Sequence, residues 1–194
     1  LAGCSKGSDE NAGLSGEAIA KIAPPAGKAW SDIVAKTPDG GYVMGNPAAP
    51  IKLVEDGSLT CSHCAEVSEQ GGAEIRDTFV ASGRVSFEFR NFVRDAMDMT
   101  AAILTRCGAP ESYFALTEQA MANQKAMIEK VQAGGNAAFE AAIALPDDKR
   151  GVAIGELTGL TEFFAARGIS KDQANACLTN GAEAAALAKR TKDD

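Results

Sequence analysis

Cys61 and Cys64, in Thr60-Cys61-Ser62-His63-Cys64, are the side chains whose type and spacing best suit chemistry. Two thiols this close can be joined as a disulfide, and a thiolate can attack a disulfide elsewhere. The run 51–55 before the motif is apolar and strand-like, and the segment after it has helical spacing. Cys61 therefore falls where a helix leaves its first N–H groups unpaired, at the positive end of the macrodipole. That end favours an anion, and so the thiolate over the thiol. His63, when protonated, adds a second positive partner. A free thiol titrates near ~8.5, and such surroundings lower it by several units. A low-pKa thiolate is also the better leaving group, which pushes the pair towards giving its disulfide away. Cys64, one helical turn further on, can attack a mixed disulfide at Cys61 and resolve it.

Two other readings compete. The pair could be half of a zinc site, but a structural site takes four ligands. The chain has no second Cys-x-x-Cys, and its only histidine, His63, lies inside the motif. A purely structural disulfide across two residues is the other reading, and its geometry is tight. Redox chemistry requires neither a metal nor a bound cofactor, since the Cys61–Cys64 disulfide is itself the group oxidised and reduced.

Several elements must hold this motif. The stretch 84–90 alternates apolar and polar residues as a half-buried strand does. Strand, helix, strand at this spacing makes a βαβ unit, whose two strands run parallel. Residues 42–44 fit a short strand, and Trp30, Ile33 and Val34 fit a short amphipathic helix within 17–36. Gly71-Gly72 is expected to kink or break the helix that follows the motif. Beyond Asn91 the pattern is Ala-rich and helical, with helices expected over 97–107, 111–132, 137–145, 152–167 and 182–192. Ser170-Lys171-Asp172-Gln173 fits a capping box. The expected organisation is a tether over 1–22, an α/β half over 23–92 and a helical region over 93–194.

The remaining cysteines place the chain. Leu1-Ala2-Gly3-Cys4 resembles the lipobox at which bacterial lipoprotein signals are cut. By that resemblance Cys4 carries a lipid and 5–16 is a polar tether; the competing reading is a free cysteine in a tail. Cys107 and Cys177 stand singly in the helical region. In an exported chain they are either bonded to each other or two buried thiols. The length of 194 residues suffices for a real core, and a net charge of −7 with no basic run disfavours nucleic acid and anionic membrane surfaces. No apolar run approaches the ~20 residues that span a bilayer, so the membrane is reached only through the lipid on Cys4.

The runs from Met44-Gly45-Asn46-Pro47 to Leu53-Val54-Glu55, Thr60-Cys61-Ser62-His63-Cys64 and Phe89-Arg90-Asn91-Phe92 resemble the DsbA-like thiol:disulfide oxidoreductases, chiefly the alphaproteobacterial type. Arg106-Cys107 and Ala109-Pro110-Glu111 share the likeness. The resemblance implies an α/β fold, a thioredoxin-like βαβ core with a large inserted helical domain. It implies that Cys61 is the exposed nucleophile, Cys64 its buried partner, and Cys107 the mate of Cys177. It also implies periplasmic oxidation of reduced exported proteins, with a quinone-linked membrane thiol oxidase as electron acceptor. Disulfide reduction or isomerisation, or a thioredoxin-like binding or chaperone module with weak redox activity, are the alternatives. Three departures stand out. Ser62 replaces a common proline, and Asp56 replaces an aromatic residue and would oppose a low thiol pKa. The proline loop and the C-terminal ββα part of the family have no counterpart. The expectation is an open sheet edge and a poor catalyst.

Overall fold

The alternating stretch folds as a strand, β4 (Val85–Asn91), and the elements that carry the motif are arranged around it. The computed structural model describes residues 19–193, so Cys4 and the lipobox lie outside the described residues. On one side β4 pairs in parallel with β3 (Ile51–Gly57), from Ile51 opposite Val85 to Gly57 opposite Asn91. On the other it pairs antiparallel with β2 (Tyr42–Gly45), which pairs antiparallel with β1 (Val34–Lys36). The order is β1-β2-β4-β3. The connection between β3 and β4 carries α1 (Ser62–Glu74), as a parallel pair requires.

Among the described residues no strand follows Asn91. The chain continues as α2 (Ala96–Thr105), α3 (Tyr113–Ala122), α4 (Gln124–Gly134), α5 (Asn136–Ile143), α6 (Asp147–Leu157), α7 (Leu160–Ala165), α8 (Lys171–Leu178) and α9 (Gly181–Asp193). None of these helices is long and apolar enough to cross a membrane. β3 is an edge strand, and its Ile51, Leu53 and Val54 side chains are exposed.

Helices and sheet meet through aromatic rings. Tyr42 of β2 stacks on Tyr113 of α3 with centroids 3.9 Å apart, and Phe114 meets Phe87 at 5.6 Å. Each such pair adds about 0.5–1.5 kcal/mol beyond the area it buries. The Arg106 side chain, only 4% exposed, lies over the Tyr42 ring and pairs with Glu183 of α9 at 2.6 Å. Asn91 accepts from the Tyr113 hydroxyl at 2.9 Å. The last residue of β4 is thereby tied to the helical half.

Four local expectations are corrected. The segment around Trp30 is a single 3-10 turn (Trp30–Asp32) followed by β1, because Val34, Ala35 and Lys36 find ladder partners in β2. Gly71-Gly72 does not break α1. Neither glycine takes a positive φ, and packing against α3 outweighs a cost of about 1 kcal/mol per glycine. The irregularity comes later, as a π turn over Ile75–Phe79 followed by a 3-10 turn over Val80–Ser82 that ends at Gly83. Gly83 has φ +70°, and a Cβ there would lie 2.4 Å from the Ile22 carbonyl oxygen. The helix expected over 111–132 is interrupted at Asn123. The one expected over 152–167 stops at Thr158-Gly159, where the Thr158 hydroxyl bonds the Ile154 carbonyl and Gly159 has φ +73°.

Candidate redox site

Cys61 is the N-cap of α1, with extended backbone (φ −89°, ψ 120°) that turns into the helix at Ser62. Its own N–H donates to the Ser58 carbonyl at 3.3 Å, and its carbonyl accepts from Ala65 at 3.1 Å. The sulfur sits over the unpaired end of the helix. Hydrogen bonds from the Cys64 backbone N–H, then the Cys64 thiol, then the His63 backbone N–H hold the Cys61 thiol below its ordinary value. The nearby charge of Arg94 acts in the same direction. His63 is exposed and reaches the sulfur through its backbone N–H, so Arg94 is the positive side chain that bears on Cys61.

Cys64, a turn deeper, has the opposite environment. Burial pushes its thiol up, the Ser58 backbone N–H opposes that, and the facing Cys61 and Glu55 add to the rise. Both cysteines are free thiols. One pair thus holds a thiolate-favouring sulfur and a thiol-favouring sulfur side by side.

Strand alternation decides which carboxylate faces them. Side chains of successive strand residues point to opposite faces. Glu55 shares a face with Leu53 and, across the ladder, with Phe87 and Phe89; burial raises its pKa. Asp56 points the other way and pairs with Arg190 of α9. The expectation that Asp56 bears on the sulfurs is therefore corrected: Glu55 does. Sequence reading missed it because Leu53 and Val54 are both apolar, leaving the inward face of β3 ambiguous.

The helical half contributes three more groups. Gln124, the first residue of α4, donates its side-chain N–H to the Cys61 carbonyl at 2.9 Å. Asp95 caps α2 by accepting from Asp98 N–H at 2.8 Å, and the Thr60 hydroxyl lies 3.4 Å from its other oxygen. Asp98 is buried and binds the loop that leads into the motif. Among the described residues, no three His, Cys, Asp or Glu side chains converge as a metal ion would require.

Cys107 and Cys177 lie away from this site. They are joined as a disulfide with Cα atoms 5.9 Å apart, linking the end of α2 to α8. The Gln173 side chain donates to the Cys107 carbonyl at 2.9 Å and fastens the same junction.

The sequence model of the family described as thioredoxin matches residues 37–193, four-fifths of the chain. The chain belongs to the thioredoxin family. Within it the fold is that of the DsbA-like proteins, a mixed α/β core with a helical insertion. The crystal structure of a protein-disulfide isomerase from Novosphingobium aromaticivorans is 34% identical. It superposes with a TM-score of 0.74, covering 80% of this chain and 79% of that one. The fold also matches alpha-DsbA1 of Wolbachia pipientis, with a TM-score of 0.62 at 21% identity, covering 78% of this chain and 66% of that one. A Rickettsia conorii protein, named provisionally as a protein-disulfide oxidoreductase, is 30% identical over 79 residues. That match covers 41% of this chain and 28% of the Rickettsia protein, so the chain spans about a quarter of that relative's length.

Proposed function

We propose that this chain is a thiol:disulfide oxidoreductase that donates the Cys61–Cys64 disulfide to exported proteins. The observation that carries the reading is the opposite tuning of the two sulfurs at the start of α1. A substrate thiolate attacks Cys61 Sγ, and the Cys61–Cys64 bond breaks. The electron pair leaves on Cys64, which takes up a proton, as its raised pKa favours. A second substrate thiolate then attacks the substrate sulfur of the mixed disulfide and expels Cys61 as a thiolate. The substrate has lost two electrons and two protons, one proton now on Cys64 and one in solvent, and the chain holds the reduced pair with Cys61 as thiolate and Cys64 as thiol. Because the released Cys61 thiolate is stabilised, the reduced form is favoured and the pair is oxidising. The charge of Glu55 bears on Cys64, and its raised pKa suits it to take part in transferring the proton this sulfur gains and loses.

In this reading Cys61 and Cys64 are the catalytic residues, and His63 serves through its backbone N–H. The Cys107–Cys177 bridge is structural. The substrates are reduced exported proteins in the periplasm, and a quinone-linked membrane thiol oxidase re-forms the disulfide. A lipid on Cys4 anchors the chain. Isomerase activity is the second reading, favoured by the name of the Novosphingobium relative. A carboxylate at position 56 set against the sulfurs would favour a binding module with idle cysteines, and Asp56 instead faces away from them to pair with Arg190.

Equilibration with glutathione buffers tests the donor reading against a reductase. A disulfide donor should have a potential above about −180 mV, whereas a reductase should fall near about −270 mV. A value in the reductase range would overturn the donor reading.

A further inference from the structure

Asp98 lies in the first turn of α2, 34 residues beyond Cys64, yet its carboxylate binds the loop that leads into the motif as well as the backbone of Arg94. Its residue is 1% exposed. One carboxylate oxygen accepts from the Leu59 backbone N–H at 2.9 Å. The other accepts from the Ser58 hydroxyl at 2.6 Å and from the Arg94 backbone N–H at 2.9 Å. A carboxylate taken out of water is costly unless hydrogen bonds replace its hydration; burial raises the Asp98 pKa, and these three donors oppose that rise. The arrangement is too specific for a helix cap alone, since Asp95 already caps α2.

Two of the three residues that Asp98 holds, Ser58 and Arg94, act on a sulfur. Ser58 accepts the Cys61 N–H through its carbonyl, and its own N–H bears on Cys64. Its hydroxyl also accepts from the Thr60 N–H at 3.1 Å, tightening the turn that ends at Cys61. Arg94 supplies the positive charge felt by Cys61. We infer that Asp98 is a positioning residue of the redox pair, by which the helical half sets the thiolate character of Cys61 through Ser58 and Arg94. This inference rests on the reading of Cys61 as the attacking thiolate.

Electrostatics and positioning predict opposite signs, which makes the inference testable. Removing a buried anion, taken alone, stabilises a nearby thiolate and lowers its pKa. Losing the placement of Arg94 and of the Ser58 turn raises it. Asp98→Asn keeps the shape, but the amide presents N–H groups to one side of a site lined by N–H donors. The experiment follows thiolate absorbance of the reduced chain across pH, with Cys64→Ala in every variant so that only Cys61 of the pair reports. The expected result is a rise of about half a unit in the Cys61 pKa, a threefold loss of thiolate below it. In an Arg94→Ala background the same substitution should have less than half that effect, a coupling that plain destabilisation would not produce. Ser58→Ala serves if Asp98→Asn does not fold, and should move the pKa the same way by less. A Cys61 pKa that is unchanged or lower in the folded variants overturns the inference. An ordinary thiol pKa in the parent chain would instead overturn the reading of the site itself.

Discussion

The two cysteine pairs of this chain share a chemistry and differ in everything around it. Cys61 and Cys64 are three residues apart, and both touch groups that take sides between thiol and thiolate. Cys107 and Cys177 are 70 residues apart and join two helices of the insertion. Closing the first pair removes little chain entropy and changes charge at a helix N-terminus. Closing the second constrains a long loop, worth about 4 kcal/mol in the chain-entropy picture. The lesson is that sulfur spacing and neighbours, not the cysteine itself, separate a bond made to be exchanged from one made to stay.

Several substitutions should sharpen that contrast. The largest effect belongs to Cys61→Ser, which should abolish dithiol oxidation in a refolding assay while leaving thermal stability nearly unchanged. Cys64→Ala should instead accumulate mixed disulfides, visible as mass adducts on Cys61. Cys107→Ala with Cys177→Ala should show the reverse pattern. Denaturant unfolding should lose about 4 kcal/mol, while the Cys61 pKa stays in place. If this double variant shifted the Cys61 pKa as much as it shifted stability, the two pairs would not be separate devices.

A smaller effect concerns Glu55. Burial raises its folded pKa above the unfolded value. An acid with a raised folded pKa contributes stability that is fully present below its unfolded pKa and is lost as pH rises through the folded one. Glu55→Gln should therefore gain stability over the parent at neutral pH and little below about pH 4. The same variant should lower the Cys64 pKa, because the carboxylate facing it is gone. Equal stability differences at both pH values would show that Glu55 is not held in the buried position described. The smallest effect is expected from Arg94→Ala. Arg94 is exposed, so solvent screens its charge and the Cys61 pKa should rise by only a few tenths of a unit.

The motif was legible because a strand, a helix start and two cysteines at fixed spacing are local signals. β4 was legible from its alternation, and α8 from Ser170, whose hydroxyl accepts from the Gln173 N–H as a cap does. β1 was not. Three residues carry no period, and its existence depends on the Thr37–Gly41 turn that brings Tyr42 back alongside Lys36. The breaks at Asn123 and Gly159 were hidden by Ala-rich sequence that reads as helix throughout. Glu55 could have been found by following the pleat from Gly57, where a Cβ would lie 2.5 Å from the Phe89 ring and so faces the core. Asp98 gave no such hint. Its partners Ser58 and Leu59 lie about 40 residues away in sequence, and only the folded chain brings them together.

The open edge at β3 bears on the same contrast, because the reactive pair hangs from that strand. Among the described residues no strand pairs the outer side of β3, and exposed Ile51, Leu53 and Val54 there invite association. The chain should therefore self-associate more at high concentration than a version carrying further strands on that edge, and should exchange thiols more slowly. Sedimentation and a dithiol oxidation assay run on both would check this, and equal behaviour would remove the edge from the account.

The most direct test of the central claim is alkylation of the fully reduced chain over a pH series, with the modified residue identified by mass spectrometry of its peptides. Cys61 should react first, with an apparent pKa well below the ~8.5 of a free thiol, and Cys64 should follow only at higher pH. Prior modification of Cys64, or a Cys61 pKa at the free-thiol value, would contradict it.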